Sequence, residues 1–158
     1  MITVNQKIES DVMQIANGTY SPLDRFMDHD ELDSVLINNK LRDGIIWPMP
    51  ILFQLNEEQN KIAINNQKLA LRSEKTGQVF GVIEIEKIEE LKNFNKIAKN
   101  WFGTDNLNHP GVVEFFNSGN SILSGKPFLI QSKQSPGTIN HELTPIQTRA
   151  LFSFCGWE

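Results

Sequence analysis

Residues 68–88, KLALRSEKTGQVFGVIEIEKI, contain two β-strand patterns on either side of a turn signal. We predict strands over Lys68–Arg72 and Gln78–Ile88, because turn residues separate them at Lys75-Thr76-Gly77. Within the second strand, Ile83 and Ile85 alternate with Glu84 and Glu86. Alternation of this kind indicates a strand with one buried face and one solvated face. The stretch therefore predicts an antiparallel β-sheet at the centre of the chain.

Helical patterns flank this centre on both sides. Apolar residues recur at helical spacing in four places, and a threonine followed by proline opens the last of them at Thr144-Pro145. The predicted helices cover residues 8–16, 30–37, 88–101 and 145–154, with a short one over 112–116. Further strands are predicted over 45–53, 61–64 and 120–130, the last broken at Gly125, and residues 131–140 predict a polar, flexible loop. The sum is an α+β domain with a small, mostly antiparallel sheet or barrel and packed helices.

Composition limits the class of protein further. The chain has 158 residues, of which 39% are hydrophobic and 22% charged, as in an ordinary globular domain. The net charge of −4 is opposite in sign to the basic balance that usually marks a nucleic-acid binder. The sequence contains no run of 18 apolar residues, so no membrane-spanning helix is predicted. The single cysteine, Cys155, points to a reducing compartment, so a cytoplasmic location is expected.

Two motifs invite a chemical interpretation, and their spacing argues against it. Gly119–Lys126 resembles a phosphate-binding loop, but five residues separate its glycines and Pro127 replaces the metal-binding hydroxyl. We therefore interpret it as a hairpin with a glycine turn. Carboxylates cluster around His29, at Asp28, Asp30, Glu31 and Asp33. Without the glycine of a calcium loop, they are interpreted as helix-capping residues.

The remaining candidate nucleophiles and metal ligands are also interpreted as structural residues. Cys155 is expected to be a buried, inert thiol, and His109 to be a loop residue that hydrogen-bonds to backbone. The lysines at 92, 96 and 99 lie outside the apolar stripe of their predicted helix and indicate a solvated face. No metal ligand, cofactor-binding residue or catalytic residue is predicted from these patterns.

Four stretches of the chain carry a family resemblance. They are NGTYSPL at 17–23 followed by Phe26-Met27, LRDGIIWPMPI at 41–51, FGTD at 102–105 with HPGV at 109–112, and Gly156-Trp157. In order and spacing they resemble the N-terminal, PUA-like domain of ATP sulfurylase (sulfate adenylyltransferase), over most of the chain. Arg25 departs from the pattern, because the family usually has glycine there.

The resemblance implies a single PUA-like domain over residues 1–158 that is itself non-catalytic. In this family the whole enzyme, a nucleotidyltransferase of sulfate assimilation, joins sulfate to ATP and releases adenosine 5′-phosphosulfate and pyrophosphate. Catalysis belongs to a following domain with a Gln-x-Arg-Asn-x-x-His run, which this sequence does not contain. The expected partner is that catalytic domain, through which alone ATP and sulfate would be bound; no cofactor is expected in the chain itself.

Two loops are predicted to face the catalytic domain. They are Ser21-Pro22-Leu23 and His109-Pro110-Gly111. A domain separated from its partner is also expected to expose an apolar patch, near Leu151, Phe154 and Trp157. The competing interpretation is a free-standing PUA-like module that binds RNA or a protein. The acidic charge and the lack of basic residues interleaved with aromatic ones argue against the RNA version.

Overall fold

The computed structural model describes residues 1–130 and 143–157. Its strands are β1 (Ile2–Val4), β2 (Gln54–Leu55), β3 (Lys68–Ser73), β4 (Val79–Glu90) and β5 (Ser121–Leu129). Its helices are α1 (Gln6–Ala16), α2 (His29–Asn38), α3 (Glu57–Ala63), α4 (Phe94–Phe102), α5 (Pro110–Asn117) and α6 (Pro145–Cys155). The predicted loop over 131–140 lies outside the described residues.

The five strands form one sheet in the order β1-β3-β4-β5-β2. β1 runs parallel to β3, with Ile2 opposite Leu71, whereas β2 runs antiparallel to β5, with Gln54 opposite Ile122. The sheet is therefore mixed, and with the helices it confirms the predicted α+β class. The chain divides into two compact units.

The first unit comprises Met1–Arg25, Ala70–Ile83 and Lys126–Glu158. Its helix α1 begins at Asn5, whose side chain accepts a hydrogen bond from the Ile8 amide at 3.0 Å. One stripe of α1 is buried, at Ile8, Val12 and Ile15. Burial of each such side chain contributes about 1.5–3 kcal/mol of stabilisation. Packing of this stripe fixes the end of α1 and the loop that follows it.

The second unit comprises Phe26–Leu69 and Glu84–Gly125. Its core contains Phe26 and Phe53, which are almost fully buried and meet edge to face with ring centroids 5.1 Å apart. Helix α4 packs against α2 and α5, and α3 packs against β2. These contacts explain why the apolar stripes of short helices become stable here although each helix alone would be marginal.

Three sequence predictions are corrected by the structure. Residues 61–64 belong mostly to α3, whose capping box joins Asn56 and Gln59, and do not form a strand. The predicted helix over 88–101 begins only at Phe94, because residues 88–90 still belong to β4. The strand predicted over 45–53 is replaced by irregular backbone with a single bridge from Ile46 to Lys40, and regular pairing starts at Gln54.

Gly125 does not break β5. The strand continues through it, and its backbone bridges to Phe26. A Cβ atom at Gly125 would overlap the carbonyl oxygen of Glu84. Glycine is therefore required at this point by the close approach of a neighbouring strand and not by a turn.

Candidate functional site

The first predicted loop, Ser21-Pro22-Leu23, lies in the first unit and is fixed by its neighbours. The Leu23 amide donates to the Tyr20 carbonyl at 2.8 Å, and the Leu23 side chain is buried. The Ser21–Pro22 peptide bond is cis. On the preceding side, Asn17 accepts hydrogen bonds from the amide and the hydroxyl of Thr19. The loop is thus held by bonds at both ends.

Tyr20 ties this loop to α1. Its hydroxyl donates to the Asp11 carboxylate at 3.2 Å. Burial raises the pKa of Asp11 because the charged carboxylate loses solvation, and the bond from Tyr20 opposes part of that rise. Burial raises the pKa of Tyr20 as well, helped by the negative charge of Asp11. The Asp11 carboxylate therefore has a structural role, because its hydrogen bond with the Tyr20 hydroxyl holds the loop against α1.

The end of the loop carries an ion-pair network centred on Asp24. The Arg25 Nε donates to one carboxylate oxygen at 2.9 Å, and the Lys126 Nζ donates to the other at 2.9 Å. The Arg25 hydrogen bond, followed by the bond from Lys126, lowers the pKa of Asp24. Lys126 lies 102 residues away in the sequence. No local pattern could have revealed this contact.

A cavity of about 570 Å³ opens beside this loop. Ser21, Pro22, Leu23 and Asp24 form part of its wall, and residues of α1, β5 and α6 complete it. All of its lining residues belong to the first unit. The sequence predicted a loop that faces the catalytic domain and gave no signal of the cavity.

The second predicted loop, His109-Pro110-Gly111, lies in the second unit at the start of α5. His109 is the N-cap residue, and its carbonyl accepts from the amides of Val112 and Val113 at 3.0 and 3.1 Å. Its side chain makes no capping hydrogen bond to the backbone of α5. The ring instead lies 5.4 Å from that of Phe102.

Aromatic rings surround this second loop. Phe102 stacks on Trp101 with ring centroids 4.8 Å apart, and a Cβ atom at Gly111 would meet the Phe102 ring at 2.8 Å. The remaining rings of the cluster are Phe94, Phe115 and Phe116. Gly111 is therefore required for close packing of α5 against α4.

The acidic cluster near His29 has the capping role predicted for it. Asp28 is the N-cap of α2, and its side chain accepts from the Glu31 amide at 2.8 Å. The Arg42 guanidinium pairs with Glu31 at 2.7 Å and with Asp28 at 3.3 Å. These carboxylates raise the pKa of Arg42, and the main cause is the hydrogen bond that Arg42 donates to Glu31. Within residues 1–130 and 143–157, no group of histidine, cysteine and carboxylate side chains has a metal-binding arrangement.

The segment that resembles a phosphate-binding loop is largely strand. Its lysine, Lys126, is engaged with Asp24. Gly119 has φ +117°, and a Cβ atom there would overlap the Leu55 carbonyl. The interpretation as a hairpin turn is wrong, and both glycines serve backbone packing.

Helix α6 exposes an apolar face, as the sequence predicted. It begins with a capping box between Thr144 and Gln147 and ends at Gly156 in the left-handed conformation. Phe154 is 90% exposed, Trp157 62% and Leu151 43%. None of its residues is buried. Cys155 is exposed as well, which corrects the prediction of a buried thiol.

The described part of the chain holds no helix that is both long enough and apolar enough to cross a lipid bilayer.

Comparison with known proteins gives three results. The model of the PUA-like domain family matches residues 1–132. The sulfate adenylyltransferases of Trichodesmium erythraeum and Ignicoccus hospitalis share 29% and 32% sequence identity with this chain. Each alignment covers 99% of the chain. The chain spans only 40% of the length of each of these relatives.

A solved structure shares the fold. The hexameric APS kinase from Thiobacillus denitrificans superposes on the whole chain with a TM-score of 0.56, at 20% identity, over 27% of its own length. This similarity concerns the fold alone.

Proposed function

The chain belongs to the PUA-like domain family, and from this premise we propose that it serves as the non-catalytic N-terminal domain of a sulfate adenylyltransferase. The whole protein would join sulfate to the α-phosphate of ATP and release pyrophosphate. Support comes from relatives of that name, which align with nearly all of this chain and are about two and a half times as long. ATP and sulfate would be bound by the longer protein's catalytic domain.

The observation that carries this proposal is the exposed face of α6. A helix of 11 residues with no buried side chain has little to stabilise it in water. Phe154 and Trp157 together present large aromatic surfaces to solvent. Apolar patches of this kind mark surfaces that contact a partner. We propose that the partner is the catalytic domain of the longer protein.

The two loops remain part of this proposal. Ser21-Pro22-Leu23 and His109-Pro110-Gly111 would contact the catalytic domain through their exposed atoms. For the second loop, His109 and Pro110 are exposed, whereas Gly111 is partly covered by Phe102. We further propose a cytoplasmic location, with which an exposed, unpaired thiol at Cys155 agrees.

A domain exchange tests the proposal. In the Trichodesmium erythraeum relative, the 40% that aligns with this chain would be replaced by the 158 residues themselves. The expected result is pyrophosphate release that requires both ATP and sulfate. Phe154→Ser and Trp157→Ser should lower the thermal stability and the activity of the chimera, because each uncovers apolar surface at the interface.

A matched control is Ile64→Ser in the second unit. Ile64 is 69% exposed, so it resembles Trp157 in exposure but belongs to the end of α3. This variant should leave the chimera unchanged. If Phe154→Ser and Trp157→Ser also leave stability and activity unchanged, the α6 face does not contact the catalytic domain.

The free-standing RNA-binding module gains no support from the structure. Arg25, Lys126 and Arg42 are paired with carboxylates. Such pairing reduces the positive potential that a phosphate backbone would need.

A further inference from the structure

The cavity beside the Ser21-Pro22-Leu23 loop has the size of a small-molecule site. Its volume of about 570 Å³ falls within the range typical of ligand pockets. Most of its wall is apolar, with Ile15, Pro22, Leu23, Phe128 and Ile146 among the contributors. Sites of this kind combine hydrocarbon walls with a few polar groups that orient the ligand.

Gly18 brings a charged group of α6 to this cavity. Its φ of +79° suits glycine, and a Cβ atom there would lie 2.5 Å from both the Arg149 guanidinium and the Ile146 side chain. The missing side chain lets Arg149 donate a hydrogen bond to the Gly18 carbonyl. Arg149 and Ile146 are three residues apart and share one helix face, and Leu151 lies about 160° around the helix axis from Arg149.

The charged side chains around the cavity differ in whether they have an ion-pair partner. Asp24 is already held by Arg25 and Lys126 at 2.9 Å each. Within the described part of the chain, no carboxylate lies within ion-pair distance of Arg149, which donates its hydrogen bond to the neutral carbonyl of Gly18. A guanidinium has five N–H donors, so most of its hydrogen-bonding capacity is available to an anion.

We propose that this cavity binds a small amphipathic carboxylate. The headgroup would pair with the Arg149 guanidinium, which matches the planar geometry of a carboxylate. The hydrocarbon chain would lie against Pro22, Phe128 and Ile146 and be removed from water. This inference shares the Ser21-Pro22-Leu23 loop with the proposed interdomain contact, but titration of the 158-residue chain tests it without the catalytic domain.

The test is titration of the 158-residue chain with octanoate, followed by calorimetry and by amide chemical shifts. 1-Octanol and octylamine serve as probes with the same chain and different charge. We expect octanoate to bind with millimolar or better affinity and to shift amides of residues 15–24. Octanol should bind more weakly by about ten-fold, and octylamine more weakly still, because a charged hydrogen bond is lost.

Three variants separate the two parts of the site. Arg149→Gln keeps a donor for the Gly18 carbonyl and should weaken octanoate about ten-fold without changing octanol. Ile146→Ser should weaken both probes. Lys92→Gln removes an equal charge from an exposed position in the second unit and should change neither.

Several results would overturn the proposal. One is an absence of octanoate binding at millimolar concentration. Another is equal binding of octanoate and octanol to the unchanged chain, which does not depend on the folding of any variant. A third is chemical-shift change confined to the exposed face of α6 at Leu151 and Phe154.

Discussion

The hydroxyl of Tyr20 donates a hydrogen bond to the carboxylate of Asp11, which lies nine residues earlier on the buried side of α1. This bond joins the loop of the first unit to its principal helix. It also places a carboxylate where solvation is poor, so the stability of the unit depends on the protonation of Asp11.

Asp11→Asn should make the chain more stable at neutral pH. The pKa of Asp11 is raised in the folded state, so above the usual carboxyl pKa of 3.8 the folded state holds its proton more strongly than the unfolded state. The free energy of unfolding of the unchanged chain therefore falls, through this group, as pH rises past 3.8 and through the raised pKa. Asparagine has no charge to desolvate and can still accept from Tyr20.

Urea unfolding at several pH values between about 3 and 7 measures this effect. The advantage of Asp11→Asn over the unchanged chain should grow as pH rises. Glu74→Gln, at an exposed carboxylate of the same unit, is the control for simple loss of charge. An advantage that is constant with pH would show that Asp11 titrates alike in the folded and unfolded states.

Asp24→Asn should have the opposite pH dependence. The bonds from Arg25 and Lys126 lower the pKa of Asp24, so its contribution is present above the usual carboxyl pKa and is lost as pH falls below it. Because the side chain is 48% exposed, the loss at neutral pH should be below about 1 kcal/mol. The same urea series should show the variant converging on the unchanged chain in acid. If the variant and the unchanged chain already have equal free energies of unfolding at neutral pH, the ion pairs contribute nothing to stability.

Gly119→Ala should destabilise the chain more than Gly103→Ala. Both glycines have positive φ, but Gly103 faces open space whereas a Cβ atom at Gly119 would overlap the backbone of Leu55. Gly103→Ala is expected to cost about 1–2 kcal/mol for the left-handed conformation alone. Gly119→Ala should cost clearly more, because β2 must also shift. Equal midpoints of thermal unfolding for the two variants would refute the steric explanation.

Gln54→Glu should be strongly destabilising although the side chains have the same shape. The Gln54 amide nitrogen donates to the carbonyls of Phe115 and Gly119, at 2.9 and 2.8 Å. A carboxylate places an acceptor against two acceptors, which leaves them unpaired at a cost of about 1–3 kcal/mol. Gln78→Glu, at an exposed turn, is the matched control in urea unfolding. Similar losses in the two variants would indicate a general charge effect.

Local signals predicted the parts of the fold that depend on neighbours in sequence. The Thr144-Pro145 start of α6 was predicted correctly, since capping involves residues a few positions apart. Residues 61–64 misled because their short apolar run, Ile62-Ala63-Ile64, suits a strand or a helix equally. The Asn56 and Gln59 capping box was the overlooked signal.

Long-range relationships could not be predicted from the sequence. The pairing of Asp24 with Lys126 joins residues 102 positions apart. Gly125 carries the same sequence signal whether it ends a strand or admits a neighbouring carbonyl, and only the position of Glu84 distinguishes the two. Ser21-Pro22-Leu23 lies in a loop as predicted, whereas α5 begins at Pro110, so Pro110 and Gly111 are helical and that part of the loop prediction is wrong. The cavity beside Leu23 depends on α6 and β5 together.

The most direct test of the central claim is to sequence the source DNA beyond the codon for Glu158. We predict that the reading frame continues and encodes a Gln-x-Arg-Asn-x-x-His run soon after Gly156-Trp157. The protein expressed from that frame should release pyrophosphate from ATP only when sulfate is present. A stop codon directly after Glu158 would contradict the claim that this chain is the N-terminal domain of a sulfate adenylyltransferase.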